Sequence, residues 1–242
     1  MSLDRILEPE VMDSAAEASD YDAMDHSGVN RVFVDDLLKV LSAERGVRSA
    51  DCGMETETPH SELRIPHLDI LDLGTGTALI PIELCKRFAE CRVMAADAAV
   101  SMLELARYNV EVNSLIERIE LAHVDAKQLP FADAMFDVVM SNSIVHHIPE
   151  PIHVLREAVR VTKPGGLLFF RDLLRPGNLD ELHHLVATYT AGANEHQQRM
   201  FAESLHAALS LAEIRGLVSS LGFAAENVQQ TTDRHWTWVA TK

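Results

Sequence analysis

The spacing of apolar residues divides the chain into two parts near residue 67. In the first part, one segment has an apolar residue at every fourth position, which predicts an amphipathic helix ending near Gly46. Its apolar positions are Val29, Phe33, Leu37 and Leu41. The flanking residues, 1–27 and 46–66, are polar, charged or turn-forming and have no period. We therefore expect residues 1–66 to form an N-terminal helical segment and linker that acts as a lid over residues 67–242.

Strands and helices alternate from Leu68 onward. Short apolar runs predict strands at residues 68–73, 92–97, 119–125, 136–143 and 167–174. Helical spacing is found at 80–88, 100–113 and 152–161, and residues 163–166 (KPGG) predict a turn before the last of these strands. Because strands that alternate with helices form parallel sheets, the pattern indicates an α/β fold with helices on both faces of the sheet.

The alternation stops after residue 174. Residues 176–210 have helical spacing throughout and divide into two segments, at about 180–191 and 195–209. A further helix is expected at 212–221, with Gly222 as its C-cap. Two final runs, 227–232 and 235–241, predict a hairpin. We therefore expect a helical insertion and then a terminal pair of strands.

Composition limits the partners and the location. The 242 residues are 47% hydrophobic, and 21 Lys and Arg against 37 Asp and Glu give a net charge of −16. Because such a chain repels polyphosphate, we expect no nucleic-acid partner. The sequence has no apolar run of about 18 residues and no basic-then-apolar leader. We therefore expect a cytoplasmic protein without stable membrane insertion, and we leave a homo-oligomer open.

The cysteines and one histidine pair were considered as metal ligands. Cys52, Cys85 and Cys91 are an odd number without metal-ligand spacing, which indicates reduced thiols. His183-His184 has helical surroundings and no third ligand at a suggestive spacing. We therefore expect no metal.

A glycine-containing turn joins the first strand of the alternating region to its first helix. The strand from Leu68 is followed by Gly74-Thr75-Gly76-Thr77-Ala78 and then by helical spacing. Glycines let the chain turn sharply and let a ligand approach the backbone, and the helix N-terminus presents unpaired N–H groups. Because position 79 is Leu, the turn lacks the third glycine of the dinucleotide fingerprint G-x-G-x-x-G. An NAD-dependent oxidoreductase therefore remains an alternative with an imperfect motif.

Acidic and polar residues stand at the ends of the predicted strands, where open parallel sheets bind ligands. These residues are Asp72, Asp97, Asp125, Ser141 and Asn142. Asp97 lies about 20 residues beyond Gly76, a distance at which an acid accepts from ribose hydroxyls. The alternative role of Asp97 is to cap the helix that starts near Ala99. Asp125 would accept from an adenine amino group or be a solvated loop acid.

Together these segments resemble class I S-adenosylmethionine-dependent methyltransferases. Residues 72–78 (DLGTGTA) resemble motif I of that family, with Ala78 in place of the third glycine. Asp97-Ala98 with Met102-Leu103 resembles the ribose motif, and Asp125-Ala126 with residues 129–131 resembles the adenine motif. Residues 136–142, followed by His146-His147-Ile148, resemble motif IV of the small-molecule branch, which contains the ubiquinone/menaquinone C-methyltransferases. Residues 155–166 are similar to the helix and turn before the fifth strand of that branch.

The resemblance implies a fold and an activity. The fold would be α/β, with a Rossmann-like seven-stranded sheet, mostly parallel with an antiparallel last strand, and helices on both faces. N-terminal helices and a helical insertion after strand five, at about 176–210 on the acceptor side, would be added to it. The activity would be in-line transfer of the methyl group of S-adenosylmethionine to a small or mid-sized organic acceptor. A non-catalytic protein that binds S-adenosylmethionine remains an alternative.

The resemblance also implies roles for individual residues around the donor. Gly74, Thr75 and Gly76 would bring the backbone to the methionine part, and Asp72 would orient that contact through water to the ammonium. Asp97 would hold the ribose with Ala98 and Met102 packed nearby, and Asp125 and Ala126 would hold the adenine. Ser141 or Asn142 would meet the ammonium through a backbone carbonyl. Tyr21 would close over the donor carboxylate, unless it is an ordinary packing residue.

His146 and His147 are the catalytic candidates, because they follow the fourth strand beside the expected position of the methyl group. A base is needed only if the acceptor must lose a proton, and a histidine can take a proton near neutral pH. The alternative is that they pack and hydrogen-bond within the loop. The acceptor would lie between the helix near residues 28–41 and the insertion at 176–210.

Overall fold

The computed structural model describes residues 3–8, 27–45 and 67–242. The strands are β1 (Leu68–Leu73), β2 (Cys91–Asp97), β3 (Ile119–His123), β4 (Phe136–Asn142), β5 (Thr162–Leu173), β6 (Val228–Gln230) and β7 (His235–Thr241). The helices are α1 (Ser27–Arg45), α2 (Leu79–Arg87), α3 (Val100–Val112), α4 (Ile152–Val161), α5 (Leu179–Tyr189), α6 (Glu195–Ala207) and α7 (Leu211–Ser220). Short 3₁₀ turns lie at Val145–His147 and Ala225–Asn227. Among the described helices, none has the length and apolar character needed to cross a membrane.

The seven strands form one sheet in the order β3-β2-β1-β4-β5-β7-β6. Strands β1 to β5 pair in parallel, whereas β7 is antiparallel to both β5 and β6. The chain moves outward from β1 to β3 and then returns to add β4 on the other side of β1. The carboxyl ends of β1 and β4 therefore meet at the switch in strand order, which is where ligands bind in such sheets. The predicted mostly parallel sheet with an antiparallel last strand is confirmed.

The segment expected to be a turn before β5 lies inside that strand. Strand β5 begins at Thr162, which pairs with Phe136, and the register then shifts before Val138. Gly165 has φ +74°, and its N–H donates to the carbonyl of Lys242 over 2.7 Å. Because the last residue of the chain pairs with this irregular stretch, the stretch becomes part of the sheet as a bulge.

Side chains from alternate strand positions build two apolar layers, one on each face of the sheet. On one face, Val138 and Phe169 pack with residues of α1, α2 and α3. On the other face, Val139 and Phe170 pack with residues of α4 and α7 and with Trp238. This alternation is the period of two that buried strands require, and it places helices on both faces as predicted.

Helix α1 belongs to the first of these layers. Phe33, Leu37 and Leu41 are fully buried, and Asp36 pairs with the buried Arg171 of β5 over 2.7 Å. The Arg171 guanidinium also lies 5.8 Å from the centre of the Phe33 ring. Because a core helix cannot open without unpacking the sheet, the part of residues 1–66 left to act as a lid is the segment before α1. The lid itself remains a prediction.

Two cysteines lie together at the amino-terminal edge of the sheet. Cys85 and Cys91 are buried free thiols whose sulfur atoms are 3.8 Å apart. Arg118 donates to the carbonyl oxygens of both residues, over 2.7 Å and 3.2 Å. These contacts fix the start of β2 against the end of α2. Cys52 lies outside the described residues.

Candidate functional site

A cavity of about 380 Å³ opens at the carboxyl ends of the parallel strands. Its volume lies in the range of small-molecule sites. The predicted site residues that line it are Gly74, Gly76, Asp97, Ala98, Met102, Asp125, Ala126, Asn142 and His147. They come from the connections after four different strands. The fold therefore brings most of the predicted donor residues to one space.

The glycine turn has the backbone geometry that requires glycine. Gly74 has φ +70° and Gly76 has φ +55°, both in the left-handed region. A Cβ atom at Gly74 would lie 2.8 Å from Cβ of Ile144, which lines the same cavity. Ala78, in the place of the third glycine, also has a left-handed φ of +62° and precedes the first turn of α2. The turn is therefore closely packed against the loop after β4.

Asp97 supports the glycine turn and the next helix at once. Its Oδ2 accepts from the N–H of Gly76 over 2.7 Å, and its Oδ1 accepts from the N–H of Ala99 over 2.9 Å. Burial raises the pKa of Asp97, against these backbone donors, which favour its charged form. The helix-capping role considered from the sequence is thus present. Because each carboxylate oxygen has two lone pairs, capacity for a ribose hydroxyl remains.

Asp72 lies beside the main cavity, in a smaller space. A space of about 20 Å³ is lined by Asp72 and Thr75 and by Asn30 of α1, and it shares Gly74 and Asn142 with the larger cavity. This volume suffices for about one water. Burial raises the pKa of Asp72 to about 7; a hydrogen bond from Thr75 opposes this rise, and the charge of Asp97 adds to it. Asp72 is therefore placed to act on a ligand indirectly.

The residues after β3 form the far end of the main cavity. Ala126 is buried, whereas the side chain of Asp125 is 54% exposed and pairs with Lys127 over 3.2 Å. His123 also lines the cavity, and its Nε2 lies 3.0 Å from the carbonyl of Ala98. The exposure of Asp125 fits the solvated-acid alternative as well as an adenine contact at the mouth of a site.

Only one of the two polar residues at the end of β4 reaches the cavity lining. Asn142 lines both spaces, and its buried Oδ1 has no hydrogen-bond partner within the described residues. The Ser141 hydroxyl instead donates to the carbonyl of Leu73 over 2.8 Å and joins β4 to β1. A buried acceptor without a partner is costly, so Asn142 is the residue of this pair that a ligand would satisfy.

The two catalytic candidates have different environments. His147 lines the main cavity, whereas His146 is 3% exposed and does not line it. Nδ1 of His146 lies 2.5 Å from Oδ1 of Asp172, which is fully buried at the end of β5. Burial would lower the pKa of His146, but the charges of Asp172 and Glu8 outweigh it and hold this pKa above its usual value. His146 thus stands behind His147 as seen from the cavity.

An N-terminal strap, residues 3–8, covers this histidine turn. The Arg5 guanidinium donates to the carbonyls of Ile148 and Ala207 over 2.9 Å and 2.7 Å. Oε1 of Glu8 lies 3.4 Å from Nε2 of His146 and 3.1 Å from Nδ1 of His147. The strap therefore joins the histidine turn to the end of α6. Tyr21 lies outside the described residues, so its predicted role stays a prediction.

The contact partners of the insertion differ from one helix to the next. Tyr189 at the end of α5 donates to Asp233 over 2.6 Å and lies under the Arg234 guanidinium, so it contacts the β6–β7 hairpin. Phe201 of α6 packs in a small apolar cluster with Leu3 of the strap. The acceptor side is therefore formed by α6 with the strap more directly than by α5.

Several site residues were missed from the sequence. Asp172 follows the same rule as the other strand-end acids, so the rule could have found it. Asn30, Ile144 and Glu8 carry no sequence signal, because α1, the loop after β4 and the strap meet only in the folded chain.

Comparisons with known proteins agree with this geometry. Residues 71–170 match the family described as Methyltransferase domain. The 27-O-demethylrifamycin SV methyltransferase of Amycolatopsis mediterranei is 30% identical over 185 residues, which are 72% of this chain and 61% of that protein. The ubiquinone biosynthesis O-methyltransferase of Ruegeria pomeroyi is 36% identical over 117 residues, 48% of this chain and 44% of that protein. The ubiquinone/menaquinone biosynthesis C-methyltransferase UbiE of Ruegeria sp. is 28% identical over 219 residues, 85% of this chain and 79% of that protein. The chain thus spans less than two thirds of the first two of these relatives.

Solved structures share the fold at low identity. The plantazolicin methyltransferase BpumL in complex with SAH has a TM-score of 0.69 at 13% identity, covering 93% of this chain and 88% of that chain. A SAM-dependent methyltransferase from Aquifex aeolicus has a TM-score of 0.61 at 17% identity, covering 94% and 98%. This likeness concerns the fold alone. Together with the match over residues 71–170, it identifies the chain as carrying a class I S-adenosylmethionine-dependent methyltransferase domain that resembles the ubiquinone/menaquinone C-methyltransferases.

Proposed function

We propose that this protein transfers the methyl group of S-adenosylmethionine to a small or mid-sized organic acceptor by in-line displacement. The observation that carries the proposal is one cavity lined at once by the glycine turn, by Asp97 and Asp125, and by His147. A turn with close backbone access suits the methionine part of the donor, and two acids at successive strand ends suit its adenosyl part. His147 then marks the side from which an acceptor approaches.

In the proposed complex, the backbone at Gly74, Thr75 and Gly76 contacts the methionine part of the donor. Asp97 accepts from the ribose hydroxyls with the lone pairs that its backbone donors leave free. Asp125 and Ala126 hold the adenine, and Ala98 and Met102 pack beside the ribose. Asn142 meets the ammonium, assisted by Asp72 through water. Ser141 contributes at most its backbone carbonyl, since its hydroxyl is used by Leu73.

The chemistry asks the protein mainly for positioning. The sulfonium is already an activated electrophile, and holding two reactants in near-attack geometry can lower a barrier by up to about 7–11 kcal/mol. The positive charge on sulfur is lost as the methyl group leaves, so an apolar and water-poor surrounding favours the step. Met102, Ile144 and Ile148 supply such a surrounding in the cavity lining.

The histidine turn is proposed to serve acceptors that lose a proton. His147 lies at the cavity and is the group that would touch such an acceptor. His146 lies behind it with Asp172, at a distance of 2.5 Å between Nδ1 and Oδ1. For an acceptor without an acidic proton, the same two residues would act only in packing.

Partners and location are proposed on weaker grounds. The net charge of −16 disfavours a nucleic-acid acceptor, and the free thiols of Cys85 and Cys91 fit a cytoplasmic location. The acceptor would enter between the strap, the segment before α1 and helix α6. A homo-oligomer is compatible with this arrangement.

Labelled methyl transfer tests the proposal. The protein is incubated with a cell extract and donor carrying an isotopically labelled methyl group, and labelled products are identified. We expect one class of small organic product, absent with Asp97→Ala and with heated protein. In parallel, S-adenosylhomocysteine but not NAD should raise the melting temperature. Stabilisation without any labelled product would indicate a non-catalytic binder, and stabilisation by NAD alone would indicate the oxidoreductase.

A further inference from the structure

The N-terminal strap, residues 3–8, is fixed by bonds from both its backbone and its side chains. Besides Ile148 and Ala207, Arg5 donates to the carbonyls of His146 over 3.1 Å and Pro149 over 3.2 Å. The N–H of Ile6 donates to the carbonyl of His206 over 3.1 Å. These contacts attach the strap to the histidine turn on one side and to the end of α6 on the other. The position of Glu8, which ends the strap, is therefore determined.

Glu8 has its carboxylate between the two histidine rings. Its Oε1 lies within 3.4 Å of a ring nitrogen of each histidine, and its Oε2 accepts from the Ser204 hydroxyl of α6 over 3.2 Å. The side chain is only 11% exposed. Burial alone would raise the pKa of Glu8, but His147, His146 and Ser204 outweigh it and hold this pKa below its usual value. The carboxylate is thus kept ionised beside the histidine that lines the donor cavity.

We propose that Glu8 is a positioning residue for methyl transfer, holding Nδ1–H of His147 so that Nε2 is the nitrogen that takes the acceptor proton. This inference rests on the proposed function. A neutral imidazole carries its proton on one nitrogen and a lone pair on the other, and a carboxylate at Nδ1 selects the form with a basic Nε2. The same carboxylate stabilises the imidazolium that forms when the proton arrives.

The proton and methyl balance is complete within the proposed reaction. The O–H or N–H bond of the acceptor breaks and an Nε2–H bond forms on His147. The acceptor electron pair attacks the methyl carbon, the sulfur–methyl bond breaks, and the sulfonium becomes the neutral thioether of S-adenosylhomocysteine. The proton leaves His147 for water after the products depart.

Several charged groups surround His147 and contribute to its behaviour. Glu8 and Arg5 come from the strap, Asp172 from the end of β5 and Asp97 from the end of β2, and His146 is its chain neighbour. The carboxylates outnumber Arg5, so a proton that arrives on the ring meets compensating negative charge. Within the described residues, Glu8 is the carboxylate placed at hydrogen-bond distance from a ring nitrogen of His147.

The test compares Glu8→Gln with Glu8→Asp and with Asp4→Asn, an exposed acid in the same strap. We expect Glu8→Gln to lower kcat by about tenfold or more with little change in the KM for the donor. The acid limb of kcat against pH should move to lower pH, because the imidazolium loses a stabilising charge. Glu8→Asp should recover part of kcat, and Asp4→Asn should match the wild type.

A second measurement follows the tautomer directly and needs no turnover. In ¹H–¹⁵N spectra of the full chain with labelled histidine, His147, assigned by its loss in His147→Gln, should be the Nδ1–H form. In Glu8→Gln it should become a mixture with the Nε2–H form. An unchanged tautomer, or an unchanged pH limb with equal losses in both Glu8 variants, would overturn the inference in favour of a purely structural role.

Two further outcomes distinguish a positioning carboxylate from a metal ligand and from a residue of an inactive protein. Because Glu8, His146 and His147 offer three ligand atoms within 4.8 Å of one another, activity lost to a chelator and restored by Zn²⁺ would show a cation site and overturn the inference. Wild-type protein that transfers no methyl group would contradict the proposed function, and the tautomer spectra would still decide the role of Glu8.

Discussion

The N–H of Gly76 donates to Oδ2 of Asp97 over 2.7 Å, between residues 21 positions apart. This bond joins the glycine turn after β1 to the end of β2, so the acid expected at the ribose also shapes the turn expected at the methionine part. Binding at the two ends of the donor is therefore coupled through one carboxylate.

Replacing Asp97 should weaken donor binding more than replacing the other strand-end acid. We expect Asp97→Ala to lower affinity for S-adenosylhomocysteine at least tenfold, because a charge-assisted bond to the ligand and the support of the turn are lost together. Asp125→Ala, at an exposed position, should cost less. Isothermal titration calorimetry measures both. Equal affinities for Asp97→Ala and wild type would place the ribose elsewhere.

Donor affinity should rise with pH across neutrality. The raised pKa of Asp72, about 7, means that this residue is protonated below neutral pH, and an ionised carboxylate suits the donor ammonium. If binding requires the ionised form, affinity for S-adenosylhomocysteine should increase by roughly tenfold between pH 6 and pH 8. Titrations in buffers of different ionisation enthalpy should show proton release. Asp72→Asn serves as the control and should abolish the pH dependence.

The same residue should lower the stability of the free protein at neutral pH. Because its pKa is raised in the fold, the folded state binds more protons than the unfolded state between about pH 4 and pH 7, so stability falls as pH rises through this window. Asp72→Asn should remove that loss and raise the melting temperature at pH 7.5. A variant that melts lower at pH 7.5 than the wild type would contradict this destabilising role of Asp72.

Gly74→Ala should be strongly destabilising. The substitution combines a φ of +70° with a Cβ atom 2.8 Å from Ile144, so we expect a loss of about 2 kcal/mol or more in the free energy of unfolding. Gly222→Ala is the matched control, with φ +90° but open space, and should lose about 1 kcal/mol. Urea denaturation measures both. Ile144→Ala in the Gly74→Ala background should cost less than in wild type, and additive losses would rule out the clash.

The ion pair between α1 and β5 should contribute measurably to stability. We expect Asp36→Asn to cost about 2 kcal/mol, because it leaves the Arg171 guanidinium, only 4% exposed, without its carboxylate. Burial would raise the pKa of Asp36, but Arg171 and Lys39 outweigh it and lower it, so this contribution is present above about pH 4 and is lost as pH falls further. Lys39→Ala, which removes an exposed partner of the same acid, should change stability by less than about 0.5 kcal/mol. Similar losses in the two variants, measured by urea denaturation, would contradict the role of Arg171.

The segment before α1 should matter for turnover more than for folding. Deleting residues 1–26 removes Arg5 and Glu8 but leaves α1 and the sheet layers intact. We expect kcat to fall by about tenfold or more, with a smaller relative effect on the melting temperature. Unchanged turnover would contradict both the lid and the role of Glu8.

Local patterns predicted the elements well because each element follows a short-range period. The bounds of α4 and β7 agree with the prediction, and α2, α6 and α7 differ from it by about two residues or fewer. The bulge at the start of β5 was missed, because Gly165 becomes part of the sheet only through its bond to Lys242, at the far end of the chain.

The sequence by itself determined the sheet, the glycine turn and the acids at strand ends, since chain order and residue period place these features without knowledge of distant contacts. Only the tertiary structure decided how they are used. It turned Ser141 toward Leu73, gave Asp97 two backbone partners, and brought Asp172 and Glu8 to the histidines. The physical reason is that hydrogen-bond partners and buried charges depend on side chains far apart in the chain, and no local period encodes which of them meet.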